Sequence, residues 1–190
     1  MIDGEIVRLP AKSPQVWPLS VSAYHALGQM GLIPEPTELL YGSIFKKMSK
    51  SPLHSALVQR LLRLLREQLP GDCFVRQEQP LTCVDSEPEP DLAVIRGREE
   101  DFWDTHPTTA ELVVEVAVTS REYDRTKTRA YAQAGVKEFW LVIGPEQQIE
   151  VFRTPVAGEF TSTCVLGVAN ELTAETLPGI RLSPSQLFLR

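Results

Sequence analysis

The sequence predicts an α/β fold in which helices flank a mixed β-sheet. Leucines recur at helical spacing across Leu53–Leu69, which predicts an amphipathic helix. Valine-rich segments of strand length follow, interrupted by one further helical segment. With 190 residues, 43% of them hydrophobic, the chain suits one compact domain. We expect a single domain over residues 1–190, with a core at 36–185 and an N-terminal extension at 1–35 that holds one helix.

The N-terminal third of the chain is predicted to contain two helices and a hairpin. The first residues are Pro-rich and irregular, with a short strand as an option at Glu5–Leu9. A helix follows at about Val21–Met30, where glycine and proline stop it. Glu38–Met48 then forms a predicted hairpin that turns at Tyr41-Gly42-Ser43. The Leu53–Leu69 helix ends this part of the chain at a Pro-Gly pair.

The rest of the chain has the pattern of a sheet with one helix inserted. Strands are expected at Cys73–Leu81, Asp91–Ile95, Glu111–Val118, Glu138–Ile143, Gln148–Arg153 and Phe160–Val168. The helix is expected at Asp124–Ala134, and it is closed by Gly135. Either Asp124 or a capping box of Thr119 and Glu122 would begin it.

The charge distribution excludes a protein that coats nucleic acid with a broad basic surface. The formal net charge is −6, and such binding needs lysine and arginine to neutralise phosphates. Residues 1–76 carry a balance of +3, whereas residues 77–190 carry −9. Several of the acidic residues flank Asp91. A local acidic pocket beside a basic approach suits a metal site that handles a polyanion.

Composition also predicts the cellular compartment. The longest apolar runs have strand length and fall far short of the roughly 20 residues that span a bilayer. The first five residues lack the basic and apolar segments of a signal peptide. We therefore expect a soluble, cytoplasmic protein without membrane contact. Cys73, Cys83 and Cys164 lack metal-binding spacing and are expected to be ordinary thiols, with a bridge between the first two left open.

Glu115 and Asp91 are the first candidate site residues. Side chains alternate along a strand, so Glu115 faces away from the valines of its own strand, and we expect the valine face to be the core. A carboxylate within an apolar strand needs a metal, a cation or water. With Asp91 on the neighbouring strand and a backbone carbonyl, assigned to Val116, it could ligate Mg²⁺. The alternative is that Asp91 is a turn residue and Glu115 pairs with an arginine.

Several segments together resemble the Uma family of bacterial proteins, formerly a domain of unknown function and assigned to the PD-(D/E)xK nuclease superfamily. The similar segments are Glu38–Ser43 with Met48 and His54, Pro90–Val94, Glu111–Val116, Tyr123–Lys127 and Tyr131–Val142. The match covers about residues 20–180. It implies a restriction-endonuclease-like core, with the N-terminal helix and hairpin as an extension. It also implies a nuclease site of Asp91, Glu115 and Lys127, with His54 as an auxiliary residue.

The sequence departs from the family pattern at three places. The superfamily's lysine usually lies two residues after the strand glutamate, where this chain has Ala117. Lys127 is expected to reach the site from the following helix instead; the alternative is a pair with Asp124 or Glu122 on a solvated helix face. Ser43 replaces a glutamate in the hairpin, and the strand of Val142 ends in Ile-Gly rather than aspartate.

Other side chains have both a functional and a structural interpretation. His54 is a phosphate or water contact, or a structural histidine. Glu89 assists the metal, or is a loop carboxylate. Aromatic residues stack on bases or, as we expect, belong to the core: Tyr131, Phe139 and Trp140. Lysines of the hairpin region steer DNA, or form a solvated edge: Lys46, Lys47 and Lys50.

The hypothesis from sequence is an endonuclease that depends on Mg²⁺, or alternatively Mn²⁺, and hydrolyses DNA phosphodiesters. The main alternative is a nuclease-fold protein that binds nucleic acid or a partner without cutting, and a third is a structural, oligomerising protein. A homodimer or a higher homo-oligomer is expected by analogy, because two copies often cut two strands and symmetric pairs are the commonest oligomers.

Overall fold

The computed structural model describes residues 16–34 and 36–189, so the optional strand at Glu5–Leu9 lies outside the described residues. The helices are α1 (Val21–Gln29), α2 (Pro52–Arg66), α3 (Arg121–Thr126), α4 (Thr128–Gln133) and α5 (Pro184–Phe188), with a 3₁₀ turn at Glu99–Phe102. The strands are β1 (Thr37–Leu40), β2 (Ser43–Lys46), β3 (Cys73–Gln77), β4 (Leu92–Arg96), β5 (Leu112–Ala117), β6 (Glu138–Ile143), β7 (Gln148–Val156), β8 (Glu159–Leu166), β9 (Leu172–Thr173) and β10 (Arg181–Leu182). No helix in this part of the chain is long and apolar enough to cross a membrane.

A six-stranded mixed sheet forms the centre of the molecule. Its strand order is β3-β4-β5-β6-β7-β8, and only β5 and β6 run parallel. The connection between these two strands contains α3 and α4, as a parallel pair requires a crossover. The mixed sheet flanked by helices confirms the predicted fold class.

Both faces of β5 are buried, which corrects the expectation that this strand has one core face. On one face, α2 covers Leu112, Val114 and Val116 of β5. On the other face, Tyr131 of α4 packs with Val113, and Glu115 shares this face. All six residues of β5 are buried because helices cover the sheet on both sides. Glu115 therefore lies in a second hydrophobic core rather than on an open face.

The helix after β5 differs from its prediction in both start and continuity. Helix α3 begins at Arg121, with Ser120 as its N-cap, so neither Asp124 nor the Thr119 and Glu122 capping box begins it. The Asp124 carboxylate accepts a hydrogen bond from the Ser120 hydroxyl instead. Lys127 separates α3 from α4 with backbone angles of φ −75° and ψ −15°. Two short helices thus replace the single predicted one.

The hairpin of β1 and β2 folds over one end of the sheet. Its turn uses positive φ at both central residues, 52° at Tyr41 and 72° at Gly42, as a two-residue hairpin turn requires. Strand β1 is buried throughout, whereas β2 is exposed. An antiparallel bridge joins Leu39 to Glu87, which holds the hairpin against the loop before β4. Glu38 of β1 thereby faces the interior.

The C-terminal segment completes the core beside α2 and was absent from the prediction. Strands β9 and β10 form a separate two-stranded antiparallel sheet. Leu172, Ile180 and Leu187 are buried in the same cluster as the apolar face of α2. These elements have two to five residues, too few for a period of 2 or 3.6 to be visible in the sequence.

Candidate active site

Asp91 and Glu115 meet where β4 and β5 run side by side. The two strands are antiparallel with Leu92 opposite Val114, so the residue before β4 lies near the last residues of β5. The backbone N–H of Val116 donates to Asp91 Oδ2 at 2.8 Å, and the N–H of Asp91 lies 3.4 Å from Glu115 Oε2. Both carboxylates are buried, with 7% of Asp91 and 3% of Glu115 exposed. Asp91 is therefore more than a turn residue, and Glu115 has no arginine partner among the residues described.

Lys127 reaches these carboxylates from the break between α3 and α4. Its Nζ lies 3.0 Å from Glu115 Oε1, 3.1 Å from Glu38 Oε1 and 3.8 Å from Asp124 Oδ1. Lys127 is only 3% exposed, so the alternative of a solvated ion pair on the helix surface is wrong. Burial opposes the charged ammonium, but the three carboxylates raise the pKa of Lys127 above its ordinary value. The neighbouring carboxylates therefore favour the charged form of this lysine.

His54 contacts Asp91 from the start of α2. Its Nε2 lies 3.1 Å from Asp91 Oδ2, and since an ionised carboxylate only accepts hydrogen bonds, Nε2 carries the proton. Its backbone N–H donates to Ser51 Oγ, the N-cap of α2, which fixes where the helix begins. Its Nδ1 is buried and has no hydrogen-bond partner within the described ranges 16–34 and 36–189.

Sequence reasoning missed Glu38 and the two tyrosine hydroxyls of this site. Glu38 Oε1 accepts from Tyr123 OH at 2.9 Å, and its Oε2 accepts from the Glu89 N–H at 3.2 Å. Tyr131 donates its hydroxyl to Glu115 Oε1 at 2.6 Å. The signal for Glu38 was a carboxylate within an apolar strand, the same signal that identified Glu115. Tyr131 is buried as predicted, but its hydroxyl also belongs to the site.

The site holds more negative than positive charge. Four buried carboxylates share the site with one buried lysine: Glu38, Glu115 and Asp124 lie within 3.8 Å of Lys127 Nζ, and Asp91 lies beside Glu115. Burial raises the pKa of Glu115 to about 8, with Asp91, Asp124 and Glu38 adding to the effect and Lys127 opposing it. Burial likewise raises the pKa of Asp124 to about 6, against the effect of Lys127 and the Ser120 hydroxyl. An additional cation would offset this excess.

The similarity of the chain to known proteins now supplies its family. Residues 32–185 match the family model described as "Uma2: Putative restriction endonuclease". The chain belongs to the Uma2 family. No curated protein matches it at a significant level.

A solved structure supports the fold of this Uma2 protein. It is titled as a putative nuclease belonging to DUF820 from Anabaena variabilis ATCC 29413, and it superposes with a TM-score of 0.73 at 20% sequence identity. The superposition covers 85% of this chain and 96% of the other. At this identity the likeness shows a shared fold. Membership of the Uma2 family supports a nuclease that acts on nucleic acid, and restriction-endonuclease-like families generally use divalent metals.

A cleft of about 110 Å³ opens onto the carboxylates of the Uma2 protein. Asp91, Glu115, Lys127 and His54 all line it, together with Val116 of β5. The hairpin lysines at its rim are partly neutralised: Lys47 pairs with Glu89 and Lys50 with Glu78. Glu89 is therefore an ion-pair partner at the cleft, and Lys46 is exposed on β2.

The protein ligands available for a metal are few. In the part of the chain that the structure describes, no three His, Cys, Asp or Glu side chains are arranged to hold one metal ion. Mg²⁺ needs less from a protein, because it keeps several waters and often uses one or two carboxylates together with substrate phosphates. The oxygen-only pair of Asp91 and Glu115, within an excess of negative charge, fits this ion.

Proposed function

We propose that this Uma2 protein is a Mg²⁺-dependent endonuclease that hydrolyses DNA phosphodiester bonds, with Mn²⁺ as an alternative ion. The observation that carries the proposal is the buried pair of Asp91 and Glu115 at the floor of a cleft, with one lysine among four carboxylates. The family model and the nuclease fold support the broader reaction class. DNA as the substrate and Mg²⁺ as the ion belong to the proposal.

In this proposal, Asp91 and Glu115 hold the metal with their carboxylates, and the Val116 carbonyl is the third protein ligand. A divalent cation held there would supply Lewis-acid chemistry, which would polarise the scissile phosphate and make a water more acidic. The hydrogen bond from the Val116 N–H fixes the orientation of Asp91 Oδ2. Tyr131 and Lys127 fix Glu115 Oε1 in the same way. Both carboxylates are thus held before any ligand arrives.

Lys127 acts as a hydrogen-bond donor rather than a base. Its raised pKa keeps the ammonium charged, so it can orient the attacking water and stabilise the negative charge of the phosphoryl transition state. Lys127, which lies between α3 and α4, thereby takes the role of the superfamily's strand lysine, whose usual position is occupied by Ala117 in this chain. His54 keeps Asp91 Oδ2 in place, and its Nδ1 is left as a hydrogen-bond acceptor without a partner among the described residues.

Cleavage of supercoiled and linear DNA by the purified protein tests the proposal. Mg²⁺ or Mn²⁺ should support cleavage, and excess EDTA should abolish it. Asp91→Asn should remove activity, because the variant loses a metal-binding charge without changing the size of the side chain. Asp104→Asn is the matched control at an exposed position outside the cleft, and it should cleave like the wild type. Equal cleavage by Asp91→Asn and the control would contradict the assigned site.

A second candidate function is binding of nucleic acid or a partner without cleavage. Two features favour it: Ser43 is exposed where the family often has a glutamate, and Ala117 occupies the usual lysine position. Calorimetric titration with Mg²⁺ and Mn²⁺ separates the two candidates. Binding of either ion that disappears in Asp91→Asn supports the enzyme, whereas the same heat in both proteins favours the non-catalytic function.

A homodimer is also part of the proposal, since two copies would present two sites to the two strands of DNA. Sedimentation equilibrium on the full chain tests this directly. A mass of 21.3 kDa at all concentrations would contradict it, because that is the mass of one chain.

A further inference from the structure

Arg76 on β3 is a buried cation without a carboxylate partner. It is 8% exposed, yet none of the ion pairs in the described ranges includes it. Its Nε donates to Gln79 Oε1 at 2.7 Å, and Nη2 lies 3.1 Å from His106 Nδ1. Its Nη1 is buried and has no hydrogen-bond partner there. Lys127, the other buried cation of the described residues, has three carboxylates around it, so the isolation of Arg76 is a specific feature.

An unpaired buried guanidinium is expensive for the fold. Desolvation lowers the pKa of Arg76, but a guanidinium stays charged in proteins. His106 brings no negative charge to Arg76. Desolvation, and then the charge of Arg76, lower the pKa of this histidine and keep its ring neutral. An anionic ligand would compensate the charge, and a guanidinium binds phosphate oxygens through two parallel N–H donors.

Arg76 lines a cavity of about 320 Å³ at the free edge of β3. This volume is within the range of small-molecule sites, roughly 300–1,000 Å³. Arg66, in the last turn of α2, supplies a second guanidinium, while Glu99 is the acid in the lining. The wall includes Phe74 and Phe102, whose ring centroids lie 5.8 Å apart. Trp103 stands at the cavity with 80% of its surface exposed.

This combination matches the two parts of a nucleotide. Two arginines outnumber the one glutamate, so the lining favours an anion even though the whole chain carries −6. An exposed indole offers a flat surface on which a base of any identity can stack. The cavity shares no lining residue with the cleft of Asp91 and Glu115. The two sites lie near adjacent strands, because Arg76 of β3 is opposite Ala93 of β4, and Ala93 is two residues after Asp91.

We propose that this β3-edge cavity binds a nucleotide, with the phosphate on Arg76 and Arg66 and the base stacked on Trp103. The nucleotide belongs either to a nucleic-acid strand or to a free nucleoside monophosphate, since both present the same chemistry. The site acts in binding and does not require cleavage by the separate cleft.

Fluorescence anisotropy in EDTA tests the site without cleavage. The probes are a fluorescein-labelled short single-stranded DNA, and unlabelled deoxyadenosine monophosphate and inorganic phosphate as competitors. Trp103→Leu and Arg66→Gln remove exposed side chains, and Arg76→Gln removes the buried charge. Each should weaken binding of the strand about fivefold or more. Trp17→Leu and Arg63→Gln are the matched controls, at an exposed tryptophan and on the exposed surface of α2, and should bind like the wild type.

The competitors identify the source of the nucleotide. Displacement of the strand by deoxyadenosine monophosphate, dependent on Trp103, means that the site accepts free nucleotides. Binding of the strand alone, with the same dependence, means that it holds a nucleotide within a chain. Wild-type affinity in both Trp103→Leu and Arg66→Gln would overturn the proposal, as would the absence of strand binding. Displacement by inorganic phosphate as strong as by the nucleotide would also overturn it, because stacking would then contribute nothing.

Discussion

Two buried glutamates on neighbouring strands have opposite electrostatic surroundings. Glu115 on β5 and Glu138 on β6 lie on opposite faces of the sheet, and both are nearly inaccessible to solvent. Glu138 is fully compensated: Oε1 accepts from Trp140 Nε1 at 2.7 Å and from Arg153 at 2.9 Å, and Oε2 accepts from the Glu175 N–H at 2.7 Å. Glu115 shares one lysine with other carboxylates.

The difference shows that burial of a carboxylate does not by itself identify a functional site. A glutamate inside an apolar strand needs a compensating group, and Arg153 supplies one for Glu138 from within the fold. Around Glu115, acids outnumber bases, and burial and its acidic neighbours raise the pKa of the carboxyl. The balance of charge around a buried carboxylate is therefore the better indicator of a functional site. In a structural ion pair the protein itself compensates the charge, whereas in a ligand site part of the charge is left for the ligand.

Cleavage activity should separate the two glutamates most strongly. Glu115→Gln should lower the rate of metal-dependent DNA cleavage by about 10³-fold or more, because it removes a charged ligand of the proposed metal. Glu138→Gln should cleave like the wild type at a temperature where it is folded. Plasmid-cleavage rates measured side by side check this. Similar rates for Glu115→Gln and the wild type would contradict the assignment of Glu115 to the catalytic site.

Removal of Lys127 should leave its three carboxylate partners without a shared cation. Lys127→Met should lower the cleavage rate about 100-fold, since the transition state loses a charged donor. It should also lower the melting temperature in EDTA, because Glu115, Glu38 and Asp124 then lack their shared cation. Lys137→Met, at an exposed lysine without an ion pair in the described ranges, is the matched control. A fully active Lys127→Met protein would assign the lysine to structure alone.

Stability should rank the two glutamates in the reverse order of activity. Glu138→Gln should lower the free energy of unfolding by about 2–3 kcal/mol, because the buried donors of Arg153, Trp140 and Glu175 lose their charged acceptor. Glu115→Gln in EDTA should be as stable as the wild type or more so, since burial already disfavours the charged carboxylate that the substitution removes. Urea unfolding of both variants measures this. A larger loss of stability in Glu115→Gln than in Glu138→Gln would show that protein groups already compensate the charge of Glu115.

The sequence predicted the elements whose pattern is local. Strand β6 lies at Glu138–Ile143 as predicted, and α2 differs from its predicted range by one residue at its start and three at its end. The meeting of Asp91 and Glu115 also followed from the sequence, because Asp91 directly precedes β4 and Glu115 lies on β5, the next strand in the chain. The resemblance to the Uma family added Lys127, whose distance from Glu115 no spacing rule would supply.

The missed parts of the site depend on contacts between distant residues. Glu38 enters the site because the hairpin bridges to Glu87, almost fifty residues later in the chain. The break at Lys127 lies where three carboxylates surround its ammonium, and a local helical pattern in the sequence does not reveal these contacts. The isolation of Arg76 similarly becomes visible only when every neighbouring side chain is in place.

The pH dependence of stability should reveal the excess of acid around Glu115. Its pKa is raised to about 8 in the folded protein, from an ordinary value of 4.5. Between these two pH values the folded state retains a proton that the unfolded state has released, so the free energy of unfolding falls as pH rises. The slope in EDTA should be up to about 1.4 kcal/mol per pH unit within this window, and it should be shallower in Glu115→Gln. Parallel curves for the two proteins would contradict the raised pKa.

The stabilisation of the fold by Mg²⁺ should be the smallest of these effects, and it bears most directly on the difference between Glu115 and Glu138. A ligand that binds only the folded state at ten times its dissociation constant adds about 1.4 kcal/mol to the free energy of unfolding. Mg²⁺ should therefore raise the melting temperature of the wild type and of Glu138→Gln, whose glutamate is already compensated. It should leave Glu115→Gln unchanged. Because a second cation removes the electrostatic difference between the glutamates, saturating Mg²⁺ should also flatten the pH dependence of the wild type. A shift of equal size in all three proteins would mean that the ion binds elsewhere.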